Sequence, residues 1–225
     1  MGFKKAVVNF FLKGIFNIFC KVDIGEYIET LKKNKPSILM FNHINFVETV
    51  VLITHAYPVK VTGLAKAETW KNPLFSFLFT TYEAVPIDRR GAFSDSFKKV
   101  RETIEDKGFY VCVAPEGHRS KTGVLQKGKA GIIQLAIDTG LSILPVGNHG
   151  GQCVWENIRR LKRTTIYIKS GRPFRIKIGD RPGREEREEI LSEVMGQLAG
   201  LLPQEMRGIY SNQAEKECKH LEFME

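Results

Sequence analysis

The sequence predicts an α/β fold: a single domain with a largely parallel mixed sheet flanked by helices, led by an N-terminal amphipathic helix. Short apolar runs recur along the chain with helical stretches between them, the alternation that a parallel sheet with crossover helices requires. No linker, repeat or low-complexity segment divides the 225 residues, a length that suits one sizeable core. The make-up, 43% hydrophobic and 26% charged, is that of an ordinary folded protein and argues against a disordered or fibrous chain.

Taken in order, strands are expected at Ser37–Phe41, Val59–Leu64, Glu83–Ile87, Phe109–Ala114, Ser142–Val146 and Thr165–Lys169, with Phe174–Ile178 as an extra one. A mostly apolar helix is expected over Phe46–Tyr57. The next carries Phe93, Phe97, Val100 and Ile104 on one face. Ile132, Leu135 and Ala136 mark a third, ended by Gly140. The last starts after Pro182, sets Glu185 and Glu186 at its positive end, and turns Ile190, Val194, Leu198 and Leu201 inward. In such sheets ligands gather where strands end and loops begin, so chemistry is expected just after the strands.

The first 22 residues have a pattern of their own. They hold Lys4, Lys5, Lys13 and Lys21 and no acid. At helical period Phe3, Val7, Phe10, Gly14, Ile18 and Val22 form one stripe, while Lys5, Asn9, Lys13, Asn17 and Lys21 drift along the other side. The pattern predicts a membrane-associating helix over residues 1–22, apolar face down and lysines against anionic lipid, ahead of a domain at 23–225. A spanning helix needs roughly 20 apolar residues, and Asn9 and Lys13 break the apolar run that a signal peptide needs. The expected place is the cytoplasmic face of a membrane, as a peripheral or monotopic protein. The alternative is a first helix packed on the core with a solvated lysine edge.

Charge and cysteines narrow the classes. The formal net charge of +9 suits nucleic acid, anionic lipid or a phosphorylated substrate. No basic face with interleaved aromatics is present, so no nucleic-acid partner is expected. Cys20, Cys112, Cys153 and Cys218 are scattered, with no pair at metal-ligand spacing and no disulfide framework, which fits a reducing cytosol.

Four segments stand at strand ends. Phe41-Asn42-His43-Ile44-Asn45-Phe46-Val47-Glu48 runs from a strand straight into a helix. A carboxylate five positions after a histidine can hold one imidazole nitrogen across the helix N-terminus and leave the other to take a proton. Val85-Pro86-Ile87-Asp88-Arg89-Arg90-Gly91 is an apolar strand that ends in a basic loop. Val113-Ala114-Pro115-Glu116-Gly117-His118-Arg119-Ser120 ends a strand in a glycine turn, with an arginine beyond it suited to bidentate phosphate binding. Leu144-Pro145-Val146 is the fourth. Each alone also fits a solvated loop or a buried strand.

In this order the four segments resemble the sequence blocks of the glycerolipid acyltransferase family, which includes the lysophosphatidic acid acyltransferases. His43…Glu48 matches a His-x4-Asp block with glutamate for aspartate, and Ile87-Asp88-Arg89 matches a block ending in Ile-Asp/Glu-Arg. Pro115-Glu116-Gly117-His118-Arg119-Ser120 matches Pro-Glu-Gly-Thr-Arg-Ser with His118 for threonine, and Leu144-Pro145-Val146 matches Val-Pro-Val/Ile. Asn45 stands where the family usually has serine. Leu125-Gln126-Lys127-Gly128, and Ala65-Lys66-Ala67-Glu68 ahead of Pro73-Leu74-Phe75, look like further family segments.

The resemblance implies that 23–225 is an acyltransferase domain of phospholipid synthesis, similar to 1-acylglycerol-3-phosphate O-acyltransferases. It implies transfer of a fatty acyl group from an acyl-CoA or acyl carrier protein thioester to a hydroxyl of a lysophospholipid acceptor, with no metal and no cofactor besides that co-substrate. His43 would then be the general base and Glu48 its orienting carboxylate. Lys66, Arg89, Glu116, Gly117 and Arg119 would hold the acceptor phosphate and its neighbouring hydroxyl. Backbone amides beside the first or last block would steady the oxyanion. The same blocks also suit another lysolipid or glycolipid acceptor, or a catalytically silent membrane-binding module. Of the other histidines, His55 reads as structural and His149, close to the fourth block, as a candidate for the site rim.

Overall fold

The structure, a computed structural model, describes residues 2–87, 93–177 and 182–224. Its helices are α1 (Phe3–Phe19), α2 (Tyr27–Lys33), α3 (Phe46–Ala56), α4 (Pro73–Thr81), α5 (Phe93–Glu105), α6 (Gly131–Thr139), α7 (Val154–Arg159) and α8 (Arg184–Ala199). Its strands are β1 (Cys20–Asp23), β2 (Ile38–Phe41), β3 (Val61–Lys66), β4 (Val85–Ile87), β5 (Tyr110–Val113), β6 (Ile143–His149), β7 (Thr164–Ser170), β8 (Phe174–Ile176) and β9 (Leu221–Phe223). They form one mixed sheet in the order β1-β7-β6-β2-β5-β3-β4, with β8 also paired to β6 and β9 paired to β8. The stretch from β6 to β4 is parallel throughout. β7 and β8 turn antiparallel to β6, and β1 runs parallel to β7.

β2 shows why the middle of the sheet is legible. Its residues Ile-Leu-Met-Phe are all buried, as a central parallel strand covered on both faces must be. Successive side chains point to opposite faces. Ile38 and Met40 enter a core with α5, α6 and α8, while Leu39 and Phe41 enter a second core with α2, α3 and α7. The result is three layers with the sheet between. α6 ends as expected at Gly140, whose φ of 67° lets its amide donate back to Ala136 O at 2.9 Å.

The expected strands all recur, with shifted ends. β3 continues to Lys66 because β4 pairs with it that far, and β6 continues to His149 because β7 does the same. The extra strand stops at Ile176, and Ile178 lies outside the described residues. On α5, Val100 and Ile104 are buried and Phe97 packs beside them; the Phe93 side chain lies outside the described part. α8 stops at Ala199, so Leu201 is only half-buried and Leu202 takes the inner position. The short elements α2, α4, α7, β1 and β9 were not expected, since their burial is decided by neighbours far away in sequence.

Two corrections concern the N-terminus. Residues 1–22 are not one helix, because Cys20–Asp23 pairs with β7 and buries Cys20 in the core. A boundary between 22 and 23 therefore cuts a strand of the sheet. The helix also sits with its polar side against the protein: Lys5 and Asn9 are 6% and 4% exposed, whereas Phe3, Phe10 and Phe11 are 86%, 75% and 63% exposed. Lys5 lies over the rings of Phe109 and Tyr82, 4.9 and 5.5 Å from their centroids. The Tyr82 hydroxyl donates to Asn9 Oδ1 at 3.1 Å. Arg163 donates to the carbonyls of Asn17 and Cys20 and so caps the C-terminal end of α1. Neither a solvated lysine edge nor a row of lysines all facing lipid describes this helix. Among the described residues, no helix is long and apolar enough to cross a membrane.

Candidate active site

Parallel strands bring their carboxyl ends to one edge. His43 after β2, Lys66 at the end of β3, Ile87 at the end of β4 and Arg119 after β5 thereby line one open cleft of about 490 Å³. The floor is held by a side-chain clamp that prolongs the β2–β6 pairing. Asn42 Nδ2 donates to Asn148 O at 2.8 Å, the Asn148 amide donates to Asn42 Oδ1 at 2.8 Å, and Asn148 Nδ2 donates to Asn42 O at 2.7 Å.

The turn into α3 is a reciprocal cap. Asn45 Oδ1 accepts from the Val47 amide at 2.7 Å, while Glu48 Oε2 accepts from the Asn45 amide at 2.7 Å and the Ile44 amide at 3.2 Å. Glu48 is 1% exposed, and its Oε1 has no hydrogen-bond partner. Oε1 is crowded by Gly151, where a Cβ would stand only 2.8 Å away, so glycine is needed at that approach. Asn45 Nδ2 donates to Gly151 O at 2.7 Å and ties this wall to α3.

His43 Nδ1 faces this carboxylate at 4.0 Å, too far for a hydrogen bond. Burial, reinforced by the Arg119 charge, lowers the His43 pKa to about 4, so the imidazole is neutral at physiological pH. Burial raises the Glu48 pKa to about 8, against the pull of the Asn45 and Ile44 amides. Two groups whose environments drive their pKa values apart, at a cleft, are what proton-transfer chemistry needs.

The expected acceptor-binding residues divide. Arg119 and Lys66 are exposed in the cleft, and no salt bridge among the described residues engages either. Gly117 lines the cleft at φ 73°, but its amide donates to Ala114 O at 3.1 Å. Glu116 is a correction: it is 0% exposed, and its two oxygens accept from the His43 amide at 2.8 Å and the Gln126 amide at 2.9 Å. It braces the first block against the loop that follows the third and cannot face an acceptor. Arg89 lies outside the described residues. The amides of His43, Ile44, Asn45 and Asn148 are all engaged, which removes them as oxyanion donors. His149 stacks on Tyr167 at 4.7 Å and does not line the cleft, and His55 bonds back to Val51 O within α3.

Sequence reasoning missed a second cavity, of about 150 Å³, that opens on the other side of His43. Its walls are apolar and come from Leu12 of α1, Phe46, Val50 and Ile53 of α3, and Leu78 and Phe79 of α4. His43, Thr49, Gly63 and Leu64 line both spaces. The one available signal was the segment Pro73–Thr81, whose residues PLFSFLFTT are apolar on nearly every side.

Fold and site together define an α/β protein with a basic cleft and an apolar cavity that meet at a neutral histidine. A family model for acyltransferases matches residues 20–148, more than half of the chain, and the chain belongs to that acyltransferase family. It is 32% identical over 145 residues to a 1-acyl-sn-glycerol-3-phosphate acyltransferase of Cocos nucifera, which covers 63% of this chain and 47% of the relative. A protein of the same description from Limnanthes douglasii is 29% identical over 158 residues, 69% of this chain and 54% of the relative. The chain thus spans about half the length of the curated relatives it matches. The crystal structure of the 1-acyl-sn-glycerophosphate acyltransferase PlsC from Thermotoga maritima superposes with a TM-score of 0.62. It covers 96% of this chain and 81% of that one at 20% identity, a likeness of fold.

Proposed function

We propose that this protein is an O-acyltransferase of phospholipid synthesis that moves a fatty acyl group from a thioester onto the hydroxyl of 1-acylglycerol-3-phosphate. The observation that carries the reading is the position of His43, at the junction of a cleft lined by Lys66 and Arg119 with an apolar cavity. A lysophospholipid needs both surroundings within reach of one base. The names of the relatives point to the same acceptor.

In this reading the acceptor phosphate lies against Arg119 and Lys66, and Arg89 is a further candidate for it. The imidazole nitrogen remote from Glu48 takes the hydroxyl proton as the oxygen attacks the thioester carbonyl. The charge that forms on the ring favours the ionised form of Glu48, whose carboxylate then steadies the imidazolium, and the imidazolium returns its proton to the thiolate when the C–S bond breaks. The donor is acyl-CoA or an acyl carrier protein, and no acyl-enzyme is required. The exposed apolar side of α1 rests on the cytoplasmic surface of a membrane, where the acceptor resides.

The test is a panel of acyl-CoA and acyl carrier protein donors against lysolipid acceptors, with products read by lipid mass spectrometry. Phosphatidic acid formed from 1-acylglycerol-3-phosphate by the parent protein, and not by His43→Ala, is the expected result. Product from a different acceptor alone would reassign the substrate. No transfer with any pair would remove the enzyme reading.

A further inference from the structure

A second basic cavity lies at the opposite end of the sheet. β3 begins just after Lys60 and ends at Lys66, so these two lysines stand roughly 20 Å apart at ~3.3 Å per residue. Lys66 lines the cleft with His43, while Lys60 lines a separate cavity of about 560 Å³ beneath the start of α1. Lys4, Lys5, Lys60 and Lys107 line it, against two carboxylates, Glu83 and Asp106. The lysines come from three places in the chain: α1, the turn before β3, and the turn after α5.

Lys5 is the informative member. It is 6% exposed, and its Nζ has no hydrogen-bond partner. Its contacts are two ring faces and Glu83 Oε1 at 3.9 Å, a carboxylate whose side chain is 55% exposed. An ammonium carries three N–H donors, and burying it without an acceptor is costly. Lys60 Nζ spends one donor on Lys107 O at 3.0 Å. Four lysines face only two carboxylates here, and the nearer one, Glu83, stops short of hydrogen-bond distance from Lys5, an arrangement whose surplus of N–H donors suits the several oxygens of a phosphate.

The surroundings choose the kind of phosphate. Lys4 stands 4.7 Å over the Phe77 ring, and Phe77, Leu74 and Phe3 are exposed at 44%, 65% and 86%. The cavity therefore opens at the rim of the apolar surface shared by α1 and α4, the depth at which headgroup phosphates lie when that surface is in a bilayer. We propose that this cavity binds the phosphate of an anionic lipid headgroup, a site separate from the cleft at His43, and so fixes how the protein sits on the membrane. The proposal rests on the membrane-facing reading of α1, but not on acyl transfer.

The experiment compares the full chain with Lys60→Gln/Lys107→Gln, neither of which belongs to α1 or to the cleft. Binding is measured to phosphatidylcholine vesicles and to vesicles containing phosphatidylglycerol at fixed ionic strength. The expected result is a loss of about tenfold on phosphatidylglycerol vesicles, with binding to phosphatidylcholine unchanged. Lys13→Gln/Lys21→Gln, an equal change of charge away from the cavity, should lose far less. Equal losses in the two double variants would mean diffuse electrostatics and would overturn the site. Inorganic phosphate, titrated calorimetrically into an Arg119→Ala background, separates the sources. Binding that vanishes with Lys60 and Lys107, alongside unselective vesicle binding, would reassign the cavity to a free phosphate. If the parent fails to bind any vesicle, the membrane reading of α1 fails, and an absent phosphate titration as well would end the cavity proposal.

Discussion

The two spaces that meet at His43 are built on different principles. The basic cleft is open, about 490 Å³, and its chemistry comes from residues just past strand ends. The apolar cavity is about 150 Å³, and its walls are the inner faces of α1, α3 and α4. One is set by topology, since parallel register alone collects those loops. The other is set by packing, since Leu12 of α1, Phe46 of α3 and Leu78 of α4 lie far apart in sequence. The histidine shares both environments, which is why it is dry enough to stay neutral and close enough to Arg119 to be held so.

Removing the junction should have the largest effect. His43→Ala is expected to lower acyl transfer by ~10²–10⁴, the usual range for loss of a general base, without change in circular dichroism or melting behaviour. Near-normal turnover by the folded variant would mean that the two spaces do not meet at the reacting atoms. Next is the basic side. Arg119→Ala should cost about 1.5–3 kcal/mol of charge-assisted phosphate binding, seen as a raised KM for the acceptor with the donor KM nearly unchanged. Equal changes in both would place the donor in the cleft.

The apolar side should respond more gently and in another variable. Leu78→Phe narrows the cavity, and each methylene that no longer fits costs about 0.8 kcal/mol. Mass spectrometry of products made from mixed-length substrates should show a shift toward shorter chains, with no change in the KM for a short-chain phosphate acceptor. An unchanged chain-length distribution would mean that the cavity holds no acyl chain.

The same contrast explains what the sequence reveals. The cleft was legible because His43, Lys66 and Arg119 sit within short segments whose strand ends are themselves readable. The apolar cavity was not, because Leu12, Ile53 and Leu78 become neighbours only in three dimensions. Glu116 shows a finer limit: its segment places it at the site, but only the fold shows its oxygens turned to the His43 and Gln126 amides. For α1 the apolar face lies outward as its period indicates, but the burial of Lys5 was not legible. Phe109 and Tyr82, remote in sequence, offer ring faces that draw Lys5 inward and leave the phenylalanines outside. Cutting after residue 22 would therefore remove β1 and one wall of the apolar cavity along with the exposed face.

Glu48 supplies the smallest and most diagnostic effect, since it stands behind the junction on the dry side. Its pKa in the folded protein is raised to about 8, from the ordinary 4.5. The folded state thus holds this proton more tightly than the unfolded chain does. The stability tied to the protonated form is complete below about pH 4.5 and is lost as pH rises through about 8. Glutamine keeps an oxygen to accept from the Ile44 and Asn45 amides and cannot ionise. Glu48→Gln should then match the parent in Tm near pH 4 and exceed it by an increasing margin up to pH 8. The margin should widen by at most about 1.4 kcal/mol per pH unit across that window. His43, lowered to about 4, destabilises both proteins alike as pH falls, so it cancels in the difference. Activity should move the other way, because the amide cannot steady an imidazolium. A Tm difference that is flat or reversed across this range would show Glu48 to be an ionised cap serving the α3 dipole, with no part in driving the two pKa values apart.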